Sequence, residues 1–439
     1  MKLRVLCAVA VAAVLLAACG GSDPADPRGE LIDAPAAVGS TLAAAQIDGA
    51  AQAGGLHALA GAARCDVKVI RLNYRTAGVR PGETSNASGV LLLPTGPADT
   101  ACATAAAPLV AYSRGTSVDK SRVMANAQDP ETRILIAMLA AQGYAVVATD
   151  YLGYGASTYP YHPYLHADSE ATSVIDSVRA ARKAAAELGR KLSGKVMFTG
   201  FSQGGHASMA AQRAAERDYG NEFDVAAGAH AAGPYNLADA LKDPQAIAGY
   251  QFFIPFLVTA WQKVYGNVYA NAADVFKAPY ASGIDNLLPA PNASYASLIV
   301  AGKVPYGMPN GTPDEARADL MQPAFVQTMR ADDSAPISVA ARKNTLLGWK
   351  PRGRVLLCGA AADPTIPPAV HQEPMRAHFA AQGVTVDSVD VDPDIQAAFG
   401  PVPTDPASAE YADYYGNYHD PHELLTCLVK ARELFDRVR

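Results

Sequence analysis

Polar and apolar residues alternate from Asp66 to Leu72, as in a strand with one face buried and one face toward water. Ser88 to Leu93 reads as its hairpin partner. The pattern then changes. Pro108 to Tyr112 and Tyr144 to Thr149 are near-continuous apolar runs, the way strands covered on both faces read. Further strands are predicted at 195–199, 225–231, 354–358 and 384–391. Helical stretches are predicted between them at 130–142, 170–188 and 203–217, and a last one at 421–438. This alternation predicts right-handed crossovers and an α/β fold: a mostly parallel sheet with helices on both faces, behind an antiparallel edge hairpin at 66–93.

Between about Asn236 and Lys350 the alternation stops. The stretch is far longer than a connection of about 4–6 residues. It holds the apolar run Tyr250 to Val258 and several turns with Pro or Gly. It is predicted to be a helical insertion at about 237–350, a lid over the site. Residues 19–45 are rich in Ala, Gly, Pro and Asp without a period, and read as a flexible tether. The folded domain is then predicted over 46–439.

Half of the 439 residues are hydrophobic, enough for a sizeable core. The net charge is −6 and no long basic run is present, which argues against a nucleic-acid partner. At the N-terminus, Lys2 and Arg4 precede an apolar run from Val5 to Leu16, too short to span a bilayer. The following Leu16-Ala17-Ala18-Cys19 resembles the bacterial lipobox. That resemblance implies a signal peptide at 1–18, lipidation of Cys19 and a membrane anchor. With no Asp directly after Cys19, it favours the outer membrane. Four cysteines remain for the folded part, and an even number in an exported chain points to disulfides. Of the three possible pairings, Cys65 with Cys102 and Cys358 with Cys427 join neighbouring parts of the predicted chain map.

Gly200-Phe201-Ser202-Gln203-Gly204 matches G-x-S-x-G and lies between a predicted strand and a predicted helix. A nucleophilic serine needs that setting, because the sharp turn lifts its hydroxyl above the sheet. Ser202 is thus the candidate nucleophile. Ser113, in Ala111-Tyr112-Ser113-Arg114-Gly115, is a rival that lacks a clean following helix. Acyl transfer also needs two donors for the oxyanion. The backbone N–H of Gln203 is one candidate and that of Thr116 the other. The loop Tyr112 to Thr116 resembles the His-Gly-x loop of lipases, with Arg114 where His usually stands.

The chain order on this fold is Ser, then Asp or Glu, then His. Asp363 follows the strand 354–358 and is the candidate acid. Four histidines follow it. His371 and His378 fall on the next helical stretch. Asp420-Pro421-His422-Glu423 reads as a helix start with Glu423 as a capping residue, which fixes His422 in the first turn. His419, in the loop just before, is the candidate base and His422 the rival. His206, beside the elbow, reads as a buried packing residue.

With these residues placed, the chain resembles the bacterial secretory-lipase-like branch of the α/β-hydrolases. Carrying segments are Tyr74 to Thr76, Ser113 to Thr116, Asp150 to Gly155, Gly200 to Gly205, Gly233 to Tyr235, Cys358 to Asp363 and Tyr418-His419. The resemblance covers most of 60–439 and is weakest in the lid. It implies hydrolysis of carboxylic esters without metal or cofactor, on a small-molecule or lipid ester. It also supports the Cys358–Cys427 pairing. A serine peptidase on the same fold is the enzymatic alternative, and a non-catalytic binding protein the alternative outside enzymes.

Overall fold

The computed structural model describes residues 27–243, 246–307 and 311–439. Nine strands form one sheet: β1 Ala37–Leu42, β2 Asp66–Ala77, β3 Thr84–Thr95, β4 Ala107–Ser113, β5 Ala145–Tyr151, β6 Leu192–Phe201, β7 Asp224–Ala231, β8 Arg354–Gly359 and β9 Asp387–Asp390. Their order is β1-β2-β3-β5-β4-β6-β7-β8-β9. β1, β2, β3 and β5 pair antiparallel, and every pairing from β5 through β9 is parallel.

The apolar runs behave as two-sided strands should. Along β4, Val110 and Tyr112 join one core and Leu109 and Ala111 the other. Helices Pro130–Met138 and Leu424–Asp436 pack into the first core. Helices Ala167–Glu187, Gln203–Asp218 and Gln372–Ala381 cover the second.

The sequence reading needs one correction at the N-terminal side. Part of the stretch read as tether belongs to the domain. β1 pairs with β2, Gly29 N–H bonds the Arg75 carbonyl at 2.8 Å, and Arg28 makes a 3.0 Å ion pair with buried Asp176. The folded domain therefore begins by Arg28. β1 is an edge strand with mostly exposed side chains, so no apolar face marks it in the sequence. Cys19 and the signal-peptide segment lie outside the described residues.

Between β7 and β8 the chain forms helices at Phe253–Tyr265, Tyr295–Val300, Pro313–Leu320, Pro323–Ala331 and Pro336–Asn344, among shorter turns. Three of them start on a proline, where the missing N–H costs nothing. They share their own core, including Ile254, Phe256, Val258 and Trp261. Tyr164 of the main body joins it, stacked on Phe256 at 4.4 Å. Among the described residues no helix is long and apolar enough to cross a membrane. Disulfides Cys65–Cys102 and Cys358–Cys427 are present.

Candidate active site

The strand order fixes where a site can form. The chain leaves β4 toward β5 on one side and returns with β6 on the other. A crevice opens at such a reversal, outside the carboxyl ends of the two strands. Ser113 ends β4, and Gly200 of β6 lies opposite it in register.

Ser202 sits directly after β6, with φ 59° and ψ −121°, and the helix starts at Gln203. A non-glycine residue at that φ costs about 1–3 kcal/mol, so the surroundings must hold it. They do so by close approach. A Cβ on Gly200 would stand 2.2 Å from the Gly204 carbonyl oxygen. Ser202 N–H bonds the Ala231 carbonyl at 3.1 Å, tying the turn to β7. Since Gln203 begins the helix, its N–H has no intrahelical acceptor.

The loop after β4 is held from behind. Gly115 N–H bonds Glu131 Oε1 at 3.1 Å, and Arg122 grips the other Glu131 oxygen at 2.8 Å. Arg114 turns into the body, its guanidinium 4.2 Å from the Tyr154 ring centre and bonded to the Asp150 carbonyl. Arg114 thus leaves the loop's outer side to Gly115 and Thr116, and the Thr116 hydroxyl is bonded to the Tyr164 hydroxyl at 3.0 Å. Both residues line a cavity of about 410 Å³, together with Ser202, Phe201, His419 and Asp420. Its opposite wall comes from the insertion, through Ala248, Gln251, Phe252, Phe253 and Tyr295. A second, apolar cavity of about 30 Å³ touches Ser202 and Gln203 from the side of Leu237, Ile254 and Leu257.

Asp363 lies in the turn after β8 and is buried. Its Oδ1 accepts the Thr365 N–H at 2.8 Å, and its Oδ2 accepts His419 Nδ1–H at 2.8 Å. His419 occupies the turn Tyr418–Glu423, broken at Asp420 by an extended backbone, before the helix Leu424–Asp436. The Phe201 ring packs 4.7 Å from the imidazole. His419 Nε2 is buried without a hydrogen-bond partner among the described residues. Burial disfavours the imidazolium, but the Asp363 charge and hydrogen bond outweigh it and hold the His419 pKa above its ordinary value. Burial likewise works against the Asp363 carboxylate, and His419 nevertheless keeps its pKa below the usual range.

The rivals are placed elsewhere. Ser113 is fully buried beneath the elbow, off both cavities. The His422 ring stacks on Phe399 at 4.0 Å. His371 is buried with its Nδ1 accepting the Asn236 N–H, and burial drives its pKa to about 3. His206 is buried, with Nδ1 on Glu170 at 2.8 Å and Nε2 on the Asn344 carbonyl. The same Glu170 accepts from the Gln203 side chain at 2.8 Å.

Glu423 departs from its predicted role. It caps nothing; its carboxyl is fully buried and reaches His419 Nδ1 at 3.6 Å. The ligand-type atoms of Asp363, His419 and Glu423 lie within 4.8 Å of one another, a spacing a metal ion could also use. Here the 2.8 Å contact engages His419 and Asp363 with each other. Glu131 and Glu170 escaped the sequence reading because no motif marks them, and Glu423 was read there only as a cap. The only signal was the i,i+4 spacing of His419 and Glu423 on one helical turn.

The fold and family are borne out by similarity to known proteins. The family model for secretory lipase matches residues 120–271. The rice cell wall degrading esterase LipA from Xanthomonas oryzae, in a ligand-bound crystal structure, superposes with a TM-score of 0.79 at 31% identity, over 94% of this chain and 100% of that one. A protein from Legionella pneumophila gives 0.71 at 20% identity, over 89% of this chain and 98% of that one. Candida antarctica lipase A in its closed state gives 0.56 at 16%, over 82% and 76%. The last two speak for the fold alone. No curated protein matches by sequence. At 31% identity across the whole of LipA, the chain belongs to the secretory-lipase-like esterases of the α/β-hydrolase type.

Proposed function

We propose that this chain hydrolyses carboxylic esters through an acyl-enzyme on Ser202, with His419 as general base and Asp363 as its partner. One observation carries the reading. His419 is tied by Nδ1 to Asp363 at 2.8 Å and lines one cavity with Ser202, while its Nε2 stays unbonded. That leaves Nε2 to take the Ser202 proton as Oγ bonds the ester carbon. The backbone N–H groups of Gln203 and Thr116 receive the oxyanion. The leaving alcohol departs with the proton from Nε2. Water then gives its proton to Nε2 and attacks the acyl carbon, the acyl–Oγ bond breaks to free the acid, and Nε2 returns the proton to Ser202 Oγ.

The insertion, read as a lid, supplies one wall of the larger cavity. The two cavities meet at Ser202, and we assign the smaller apolar one to the acyl group and the larger one to the alcohol. We also propose export and a lipid anchor on Cys19 in the outer membrane, on the strength of Leu16-Ala17-Ala18-Cys19 with no Asp directly after it. The Xanthomonas relative is a cell wall degrading esterase, which makes polysaccharide-borne esters a class to include among test substrates.

A fluorophosphonate probe should label one peptide, the one containing Ser202, and the labelled enzyme should lose activity on aryl esters. Labelling elsewhere, or none with esters still cleaved, overturns the nucleophile. Cleavage of peptide anilides in preference to aryl esters would replace the esterase reading by a serine peptidase. Mass spectrometry of the native protein should find an acylated N-terminal Cys19.

A further inference from the structure

Two carboxyl groups face one imidazole in this site. Asp363 holds His419 Nδ1 at 2.8 Å and Glu423 stands 3.6 Å from the same nitrogen, too far for a hydrogen bond and close enough for a strong charge interaction. Neither residue's side chain is exposed. They are not equally supported. Asp363 also receives the Thr365 N–H, whereas neither Glu423 oxygen has a hydrogen-bond partner among the described residues. A buried ionised carboxylate with no donor is costly, and a second negative charge beside Asp363 costs more. The phenols of Tyr235 and Tyr418 also interact electrostatically with Glu423. The Tyr235 hydroxyl is buried and unbonded, and the Tyr418 hydroxyl is committed to Asp392. Burial first, and then the Asp363 charge, push the Glu423 pKa well above the carboxylate range.

Resting on the triad reading above, we infer that Glu423 is a reserve acid for His419: it carries a proton while Asp363 is ionised, and takes the Nδ1–H itself when the Asp363 charge is removed. The exchange balances simply. In Asp363→Asn the repulsion from the Asp363 charge is gone and the His419 Nδ1–H is free to bond Glu423, a donor that offsets the burial of its carboxylate, so Glu423 releases its proton to solvent. His419 Nδ1–H then turns its hydrogen bond from residue 363 to Glu423. The helical turn needs to move that carboxyl less than about 1 Å to reach hydrogen-bond distance. Nε2 is again unprotonated and able to accept the Ser202 proton. Glu423 acts only through His419, so it is a positioning residue.

The test is a double-mutant cycle on ester hydrolysis in the full exported chain, with Ser202→Ala run alongside. Glu423→Gln keeps shape and neutrality and should stay within about 3-fold of wild type in kcat. Asp363→Asn should lose about 10–100-fold, against the ~10⁴-fold expected where the acid has no substitute. The pair Asp363→Asn, Glu423→Gln should fall the full ~10⁴-fold, far below the product of the single losses. The pH profile gives a reading that a structural role would not move. The acid limb of kcat/KM should persist in Asp363→Asn, where a carboxylate still faces the imidazole. In the double variant it should drop to lower pH. Asp363→Asn as inactive as the double variant, with both melting like wild type, overturns the proposal. So does an inactive, folded Glu423→Gln. A fully active Ser202→Ala would instead overturn the triad reading, so the two failures are distinguishable.

Discussion

The Ser113 carbonyl oxygen lies 1.8 Å from where a Cβ on Gly204 would stand. The end of β4 and the first turn of the helix after Ser202 therefore touch through backbone, with no room for a methyl group. Gly204→Ala must push the helix away from β4, and with it Ser202. We expect a loss of at least about 100-fold in kcat and a clear fall in Tm, since overpacking of this kind costs about 1–3 kcal/mol or more. Gly49 is the contrast. It is exposed in the helix Ala44–Ala53, with nothing near its Cβ position. Gly49→Ala should stabilise the protein by about 0.5–1 kcal/mol and leave activity alone, as thermal melts and ester assays would show.

His419 should govern the acid side of the pH profile. Only the neutral imidazole can accept the Ser202 proton, so activity is absent below the His419 pKa and present above it. Asp363 raises that pKa, so the limb of kcat/KM should lie above the ordinary histidine value of about 6.5. His162 and His371 are driven to about 3 by burial and stay neutral across the assay range. His419→Ala should abolish activity, and His422→Ala should keep most of it. A dead His422→Ala beside an active His419→Ala would exchange their roles.

Much of this site was legible because its chemistry uses patterned segments. The strand–Gly-x-Ser-x-Gly–helix run needs particular residues at particular offsets, and Asp363 and His419 follow from chain order and element ends. Glu423 was misread because a Glu three residues after Asp420 fits a capping box, and only the folded turn shows its carboxyl aimed at His419. Glu131 and Glu170 were invisible for another reason. Their partners, Gly115 and Gln203, lie 16 and 33 residues away, and no local period reports such contacts. β1 was missed because an exposed edge strand carries no alternation. The insertion showed itself as a long break in the alternation, and its individual helices were not legible, since helices that pack on one another in a small separate core give a weak common pattern.

The two disulfides should behave differently. Cys358 lies in the strand that leads to Asp363, and Cys427 in the helix that follows His419, with their Cα atoms 5.7 Å apart. Cys65–Cys102 lies off both active-site cavities. Replacing either pair by serines should cost about 2–5 kcal/mol. Loss of Cys358–Cys427 should also lower kcat at a temperature where the protein remains folded, because Asp363 and His419 are no longer tied together. Loss of Cys65–Cys102 should lower Tm alone. Equal kcat in the two folded variants would show that packing, not the crosslink, sets the Asp363–His419 distance.

Acyl length should be limited by the apolar cavity beside Ser202. At about 30 Å³ it has room for little more than one water-sized group, and Leu257 and Ile254 close it with buried side chains. Each methylene that finds room gains about 0.8 kcal/mol, and each that does not forces the insertion to shift. Aryl acetate and butyrate should therefore be cleaved better than decanoate and palmitate. Leu257→Ala removes one wall of the cavity. It should destabilise the protein by about 2–5 kcal/mol and raise the ratio of kcat/KM for decanoate over butyrate. That ratio does not depend on how much enzyme is folded, so it isolates the pocket from the stability loss. If the wild type prefers long chains, or the ratio stays fixed in Leu257→Ala, then the acyl group enters the larger cavity beneath Phe252 and Tyr295 instead.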